Sequence, residues 1–354
     1  MSASLALRAL SVLSLATCVV AWKLPEGPLR TDPGQVVEVE TAYQTIRVVE
    51  AEDEVPVPGD TPLAFGAASA NVRTRFLRFD EDSTSYQSVH PLGPEGGPLT
   101  SSRYYDHLAL GLWFDEMPWT LPAGGRAPRV LIVGYAGGTL DRVIGAVAPA
   151  GGKAADVLGV EIDPGVLALA EARLDPSRRL PPTARVVTGA DGRAVVDALP
   201  ADARFDLIVV DAYQRTQYIP FQLATVEFFR ACARHLEPAG AIGFNVNAPK
   251  GLSGRLLRSI ATSLDRALEG EGGGGVFIVP NPHYVGNAAV WGTHAKDAPR
   301  VSALVPPSLV GPTFALERLL VRHVPGTDGG DLLTDDCAPT ERLVDETFLP
   351  VDDR

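Results

Sequence analysis

The chain has 354 residues and a formal charge of −12, with 45% hydrophobic and 21% charged residues. This balance is ordinary for a globular protein with room for two domains; it speaks against nucleic-acid binding, which needs a basic footprint, and mildly favours cationic ligands. Cys18, Cys232 and Cys337 lack the count and spacing of a disulfide framework or zinc site, and no zincin, serine-hydrolase or P-loop motif occurs, so no metal is expected.

Residues 1–30 stand apart from the rest. From 9 to 22 the chain is uncharged and largely apolar, with Arg8 before it and Lys23 and Pro25-Glu26-Gly27-Pro28 after it. The run has the length of a signal-peptide core, and counted from Leu5 it nearly reaches the about 20 residues of a membrane span. It predicts either an anchor through residues 5–22 or a cleaved signal. Lys23 and Arg30 agree with the positive-inside bias of an anchor that leaves the remainder, membrane-associated, in the cytoplasm; export after cleavage is the alternative.

Residues 35–100 read as a small β domain. Val36, Val37, Val39, Tyr43, Ile46, Val48 and Val49 are β-formers, and residues 73–79 alternate basic and apolar side chains around Phe76, Leu77 and Phe79. Residues 101–127 hold a linking helix, with Ser101 and Ser102 as candidate caps and Tyr105, Leu108, Leu112 and Trp113 along it. From 128 to 300, short apolar runs alternate with helical stretches, the pattern of buried parallel strands and crossover helices in a doubly wound α/β domain. Strands are expected at 130–133, 157–160, 185–187, 207–210, 241–245, 276–279 and 288–291, with helices starting near Gly138, Pro164, Gly192, Leu223 and Gly254. Residues 301–354 form a C-terminal extension.

The chemistry-bearing positions sit where strands end. After the apolar run at 130–133, Gly134-Tyr135-Ala136-Gly137-Gly138 is a small-residue turn opening a helix, which lets a ligand approach the backbone and the free N–H groups. Glu161 closes the second strand, where a carboxylate can accept both hydroxyls of a ribose in any adenosine ligand. Asp191, before Gly192, accepts from an adenine amino group or caps the next helix. Asp211 emerges from the apolar run 207–210 at the crevice mouth, as a general base or as an organiser of its loop.

These residues together resemble the spermidine synthase (polyamine aminopropyltransferase) family, notably its bacterial branch fused to membrane segments, over nearly everything after residue 35. The resemblance implies a class I S-adenosylmethionine-dependent methyltransferase-like (Rossmann-like) seven-stranded sheet behind a small N-terminal β domain. It implies that Gln44 of the Tyr43-Gln44 pair contacts a sulfonium nucleoside, together with Gly134, Ala136, Gly137 and Gly138 of the turn. It makes Glu161 the ribose acid, Asp191 and Gly192 the adenine-side pair, and Asp211 the proton acceptor. Tyr105 and Asp106 match the substrate position. The segment 219–228 is similar to the family's gate, and 333–341 to a tail of the fused branch.

Two departures accompany the likeness. Gly137 stands where the family has an Asp, and Gln214 stands where it has a second substrate-facing Asp. The implied reaction is aminopropyl transfer from decarboxylated S-adenosylmethionine to a small-molecule amine, with family members forming dimers or tetramers. The rival readings are a methyltransferase using S-adenosylmethionine itself and a non-catalytic, membrane-attached nucleoside or polyamine sensor.

Overall fold

The computed structural model describes residues 33–57, 66–80, 85–92, 102–114, 126–147, 154–175, 184–214, 217–283, 286–326 and 329–348. The expected anchor or signal at 5–22 lies outside the described residues; among those described, no helix is long and apolar enough to cross a membrane.

Two sheets organise the molecule. The first is antiparallel and four-stranded in chain order, β1 (Gln35–Glu40), β2 (Thr45–Pro56), β3 (Ser69–Phe79) and β4 (Ser88–Pro91). A short helical segment follows, α1 (Tyr104–Ala109), continued by a 3-10 turn over Leu110–Trp113. Ser101 lies outside the described residues, and among those described Arg103 stands at the N-cap with no side-chain capping bond. Ser102 takes a left-handed φ of 64°, and its N–H donates to Asp106 Oδ2 at 2.6 Å.

The second sheet contains β5 (Arg129–Val133), β6 (Asp156–Glu161), β7 (Arg185–Thr188), β8 (Phe205–Val210), β9 (Leu236–Asn247), β10 (Gly275–Pro280), β11 (Asn287–Thr293) and β12 (Val321–Arg322), in the spatial order β12-β10-β11-β9-β8-β5-β6-β7. Strands β5 to β9 pair in parallel, whereas β11, β10 and β12 add antiparallel neighbours. The seven expected strands all form, and β12 is an eighth. It is two exposed residues long, so no apolar pattern marks it.

The apolar runs are explained by burial on both faces. Leu131, Val133, Ile208 and Val210 point to the side covered by α5 (Val226–Arg234), α6 (Arg255–Gly270) and α8 (Thr340–Phe348). Val130, Ile132, Leu207 and Val209 point to the side covered by α1, α2 (Thr139–Val147) and α7 (Val310–Leu319). Residues beyond 300 thus supply a strand and two helices to this domain. The small sheet joins through a third cluster, in which Ile46, Val48, Leu77 and Phe79 pack on Val166 and Leu169 of α3 (Pro164–Leu169) and on Ala170 and Leu174 of the π-turn after it.

The chain runs from β5 outward through β6 and β7, then returns across β5 to β8. That reversal leaves a crevice at the carboxyl ends of β5 and β8, the position where doubly wound sheets bind ligands.

Candidate active site

A cleft of about 350 Å³ occupies this crevice, roofed by Gln44, Phe79 and Gln87 of the small sheet and its loops. Its size is that of a small-molecule site. Gln44, Gly134, Ala136, Glu161, Asp191, Gly192, Asp211 and Gln214 all line it. Among the described lining residues the charged groups are three carboxylates, those of Glu161, Asp191 and Asp211.

The floor turn is shaped by close strand packing. A Cβ on Gly134, which has φ +90°, would lie 2.3 Å from the Asp211 carbonyl oxygen, so only glycine lets β5 and β8 leave the sheet side by side. Ala136 adopts a left-handed φ of 47°, and its N–H donates to Glu161 Oε2 at 2.8 Å. The other oxygen of Glu161 accepts from Asp163 N–H at 2.9 Å. Glu161 is 6% exposed; burial raises its carboxyl above the usual range, and these backbone donors partly offset the rise.

Asp163 caps α3 through Gly165 N–H at 2.9 Å and accepts from the Thr41 hydroxyl at 2.6 Å, which ties the loop bearing Gln44 to the same corner. Across the cleft, Asp191 caps α4 (Gly192–Asp197) through the N–H groups of Arg193 and Ala194, at 2.8 and 3.2 Å. Its second oxygen accepts from Gln222 Nε2 at 2.9 Å. The capping alternative read from the sequence is therefore present, on a residue that also faces the cleft.

Asp211 follows the last residue of β8 and is half-buried. Burial pushes its carboxyl up to about 7, while hydrogen bonds from Asn245 and Tyr104 hold it down. Asn245 Nδ2 donates to Asp211 Oδ1 at 2.8 Å, and Asn245 Oδ1 accepts from Asn287 at 3.1 Å, which orients the amide. Removing this donor by Asn245→Ala should raise the Asp211 pKa further and move the acidic limb of any Asp211-dependent pH–rate profile upward by about one pH unit, the size of one hydrogen bond. A limb that stayed in place would detach Asn245 from the titration of Asp211.

Four expected site residues stand elsewhere. Gly138, at the mouth of the turn with φ 73°, bonds back to the Tyr135 carbonyl and does not line the cleft. Tyr105 is 2% exposed with its ring against that of Tyr104, and Asp106, 3% exposed, turns its carboxylate to the Ser102 N–H. Neither lines the cleft; the neighbouring Tyr104 presents its hydroxyl to Asp211 instead.

Gly137 is the fourth. Its N–H donates to Ser88 Oγ at 2.8 Å, and a Cβ there would lie 2.7 Å from Leu174 Cδ2 and 2.9 Å from Ser88. The position where the resemblance led one to expect an acid is sealed by the small sheet. Gly137→Asp should therefore cost about 1–3 kcal/mol by overpacking, read as a lower thermal midpoint, and add no ligand-facing charge. A variant that binds an amine more tightly at unchanged stability would contradict that reading.

Gln87, which lines the cleft, and Tyr104 and Asn245, which bond to Asp211 from behind its lining, carried no individual role in the sequence. Only Asn245 leaves a trace, as a polar residue in the apolar run 241–246.

The parallel sheet, its order and the crevice at the strand reversal define a class I methyltransferase-like α/β domain behind a small β sheet. No family model matches the chain. A curated protein of Bifidobacterium longum, named as a probable polyamine aminopropyl transferase, is 30% identical over 176 residues, which are 50% of this chain and 36% of that protein. The chain thus spans about a third of the length of this relative. A probable spermidine synthase from Corynebacterium glutamicum shares the fold at a TM-score of 0.50 and 19% identity, over 75% of this chain and 81% of that one. A spermidine synthase from Thermotoga maritima aligns at 0.48 and 17% identity, over 89% and 84%. The chain thus resembles a probable polyamine aminopropyl transferase in sequence over half its length, and has a class I methyltransferase-like fold that it shares with a probable spermidine synthase.

Proposed function

We propose that this protein is a transferase that moves the aminopropyl group of decarboxylated S-adenosylmethionine to a small amine. The observation that carries the reading is Asp211, a half-buried carboxyl near neutrality at the crevice mouth of a cleft whose described charged residues are all acidic. A sulfonium donor and an ammonium acceptor are both cationic, and a carboxylate-lined cleft attracts both. The 30% identical relative named as a probable polyamine aminopropyl transferase supports the same choice.

In this reading Glu161 faces the ribose, Asp191 and Gly192 the adenine side, and Gln44 and Gln87 cover the nucleoside from the small sheet. The amine must be deprotonated before it attacks. An ordinary amine titrates near 10.4, and a carboxylate poised near the working pH is suited to take the proton. The nitrogen then bonds to the carbon beside sulfur, the carbon–sulfur bond breaks towards the sulfonium, and methylthioadenosine leaves as a neutral thioether. Asn245 and Tyr104 hold the Asp211 carboxylate towards the incoming nitrogen.

The experiment is calorimetric binding of S-adenosylmethionine, its decarboxylated form and methylthioadenosine, followed by product analysis with a panel of amines. Preference for the decarboxylated donor with methylthioadenosine release supports aminopropyl transfer. Preference for the carboxylated donor with a methylated product would replace the reading by methyl transfer.

A further inference from the structure

One wall of the cleft is the segment after β8, from which Gln214, Pro220, Gln222 and Leu223 line the cavity. Gln214 and Tyr218 exchange both backbone hydrogen bonds, at 2.7 and 2.9 Å, which holds Tyr218 beside the cleft-lining Gln214. The segment is held by residues more than a hundred positions later. Tyr218 Oη donates to Asp345 Oδ1 of α8 at 2.8 Å. Where the segment enters α5, Thr225 Oγ1 donates to Asp335 Oδ1 at 2.7 Å, and Val226 N–H donates to the Leu333 carbonyl at 2.9 Å.

The same Asp335 takes the Arg193 guanidinium in a two-pronged pair, both contacts at 3.0 Å. Arg193 lies two residues past Asp191, whose second oxygen accepts from Gln222 of the same wall. The late segment is itself fixed to the domain: Leu333, Leu343 and Val344 are buried in the core, and the N–H groups of Asp331 and Leu333 donate to Ser259 and Ser263 of α6, each at 2.9 Å. One anchored segment therefore holds the wall that carries Gln214, Gln222 and Asp191, while the Gly134–Glu161 corner is held by the small sheet and by its own strands.

We propose that residues 331–345 form a strap that positions the rim of the cleft, with Asp345 acting through Tyr218 to set how tightly the acceptor amine is held. The naming of the amine rests on the transfer reading above; the mechanical coupling of strap to rim does not. Asp345 and Tyr218 are positioning residues, since neither lines the cleft.

The test compares Asp345→Ala, Tyr218→Phe and the double variant in the full chain. Each single change should raise the amine KM about tenfold, the size of a hydrogen bond to a charged group, and leave kcat and methylthioadenosine affinity within about twofold. The double variant should be no worse than either single, because both remove one bond. Hydrogen exchange of residues 212–223 should quicken about tenfold in each variant, while residues 130–139 keep their rates. Unchanged exchange at 212–223 overturns the strap, and a nucleoside affinity that falls as far as the amine KM rises overturns its assignment to the acceptor. Should the unmodified protein transfer nothing to any amine, the transfer reading fails, and the exchange rates alone decide the strap.

Discussion

Asp211→Asn should lower turnover by roughly 10²- to 10⁴-fold while methylthioadenosine binds within about twofold of its original affinity. The substitution preserves shape, and an asparagine carbonyl can still accept the Asn245 amide that now reaches Asp211 Oδ1. What disappears is the capacity to take a proton. The unmodified protein should show a single acidic limb in kcat/KM. Activity rises as pH passes about 7, because the ionised carboxylate is the working form and burial has raised the pH at which it appears. In Asp211→Asn the residual rate should lack that limb. A variant with full activity and an unchanged profile would exclude Asp211 as the base.

The second large effect falls on the nucleoside side. Glu161→Gln should weaken methylthioadenosine binding by about 10²-fold and lower the thermal midpoint together. The carboxylate now accepts the N–H groups of Ala136 and Asp163 with its two oxygens. A glutamine has one acceptor oxygen, so its amide nitrogen must face one of those donors, and hydrogen bonds to a charged group contribute about 1.5–3 kcal/mol each. Ala136 would then hold its left-handed conformation without its partner. Calorimetry and thermal unfolding of the same preparations measure both effects, and unaltered affinity would remove Glu161 from the ligand.

Much of the architecture was legible because its strands are buried on both faces. Runs such as 130–133 and 207–210 admit few alternatives once small-residue or acidic positions end them. The acids at strand ends, Glu161, Asp191 and Asp211, follow from the same logic and do converge on one cleft. Less legible was anything decided by rotation or by distance along the chain. Tyr104 and Tyr105 are adjacent on a helical turn with their rings 4.0 Å apart, and it is Tyr104 that hydrogen-bonds to Asp211. A motif match has no means of choosing between them.

Gly137 illustrates a different limit. A missing acid in a turn reads as a lost ligand contact, but here a serine fifty residues earlier occupies the space. Strand β12 and the ties from Asp335 and Asp345 likewise depend on partners remote in sequence, which no local periodicity records.

The cluster between the two sheets has a consequence for how the molecule comes together. Ile46, Val48, Leu77 and Phe79 on one side, and Val166, Leu169, Ala170 and Leu174 on the other, are each less than a tenth exposed because the small sheet packs on α3 and the π-turn after it. Neither half presents a finished surface by itself, so the small sheet is a folding partner of the larger domain. During synthesis the β1–β4 segment emerges before the helix it packs against, and its apolar face has to wait, uncovered, until α3 has been made.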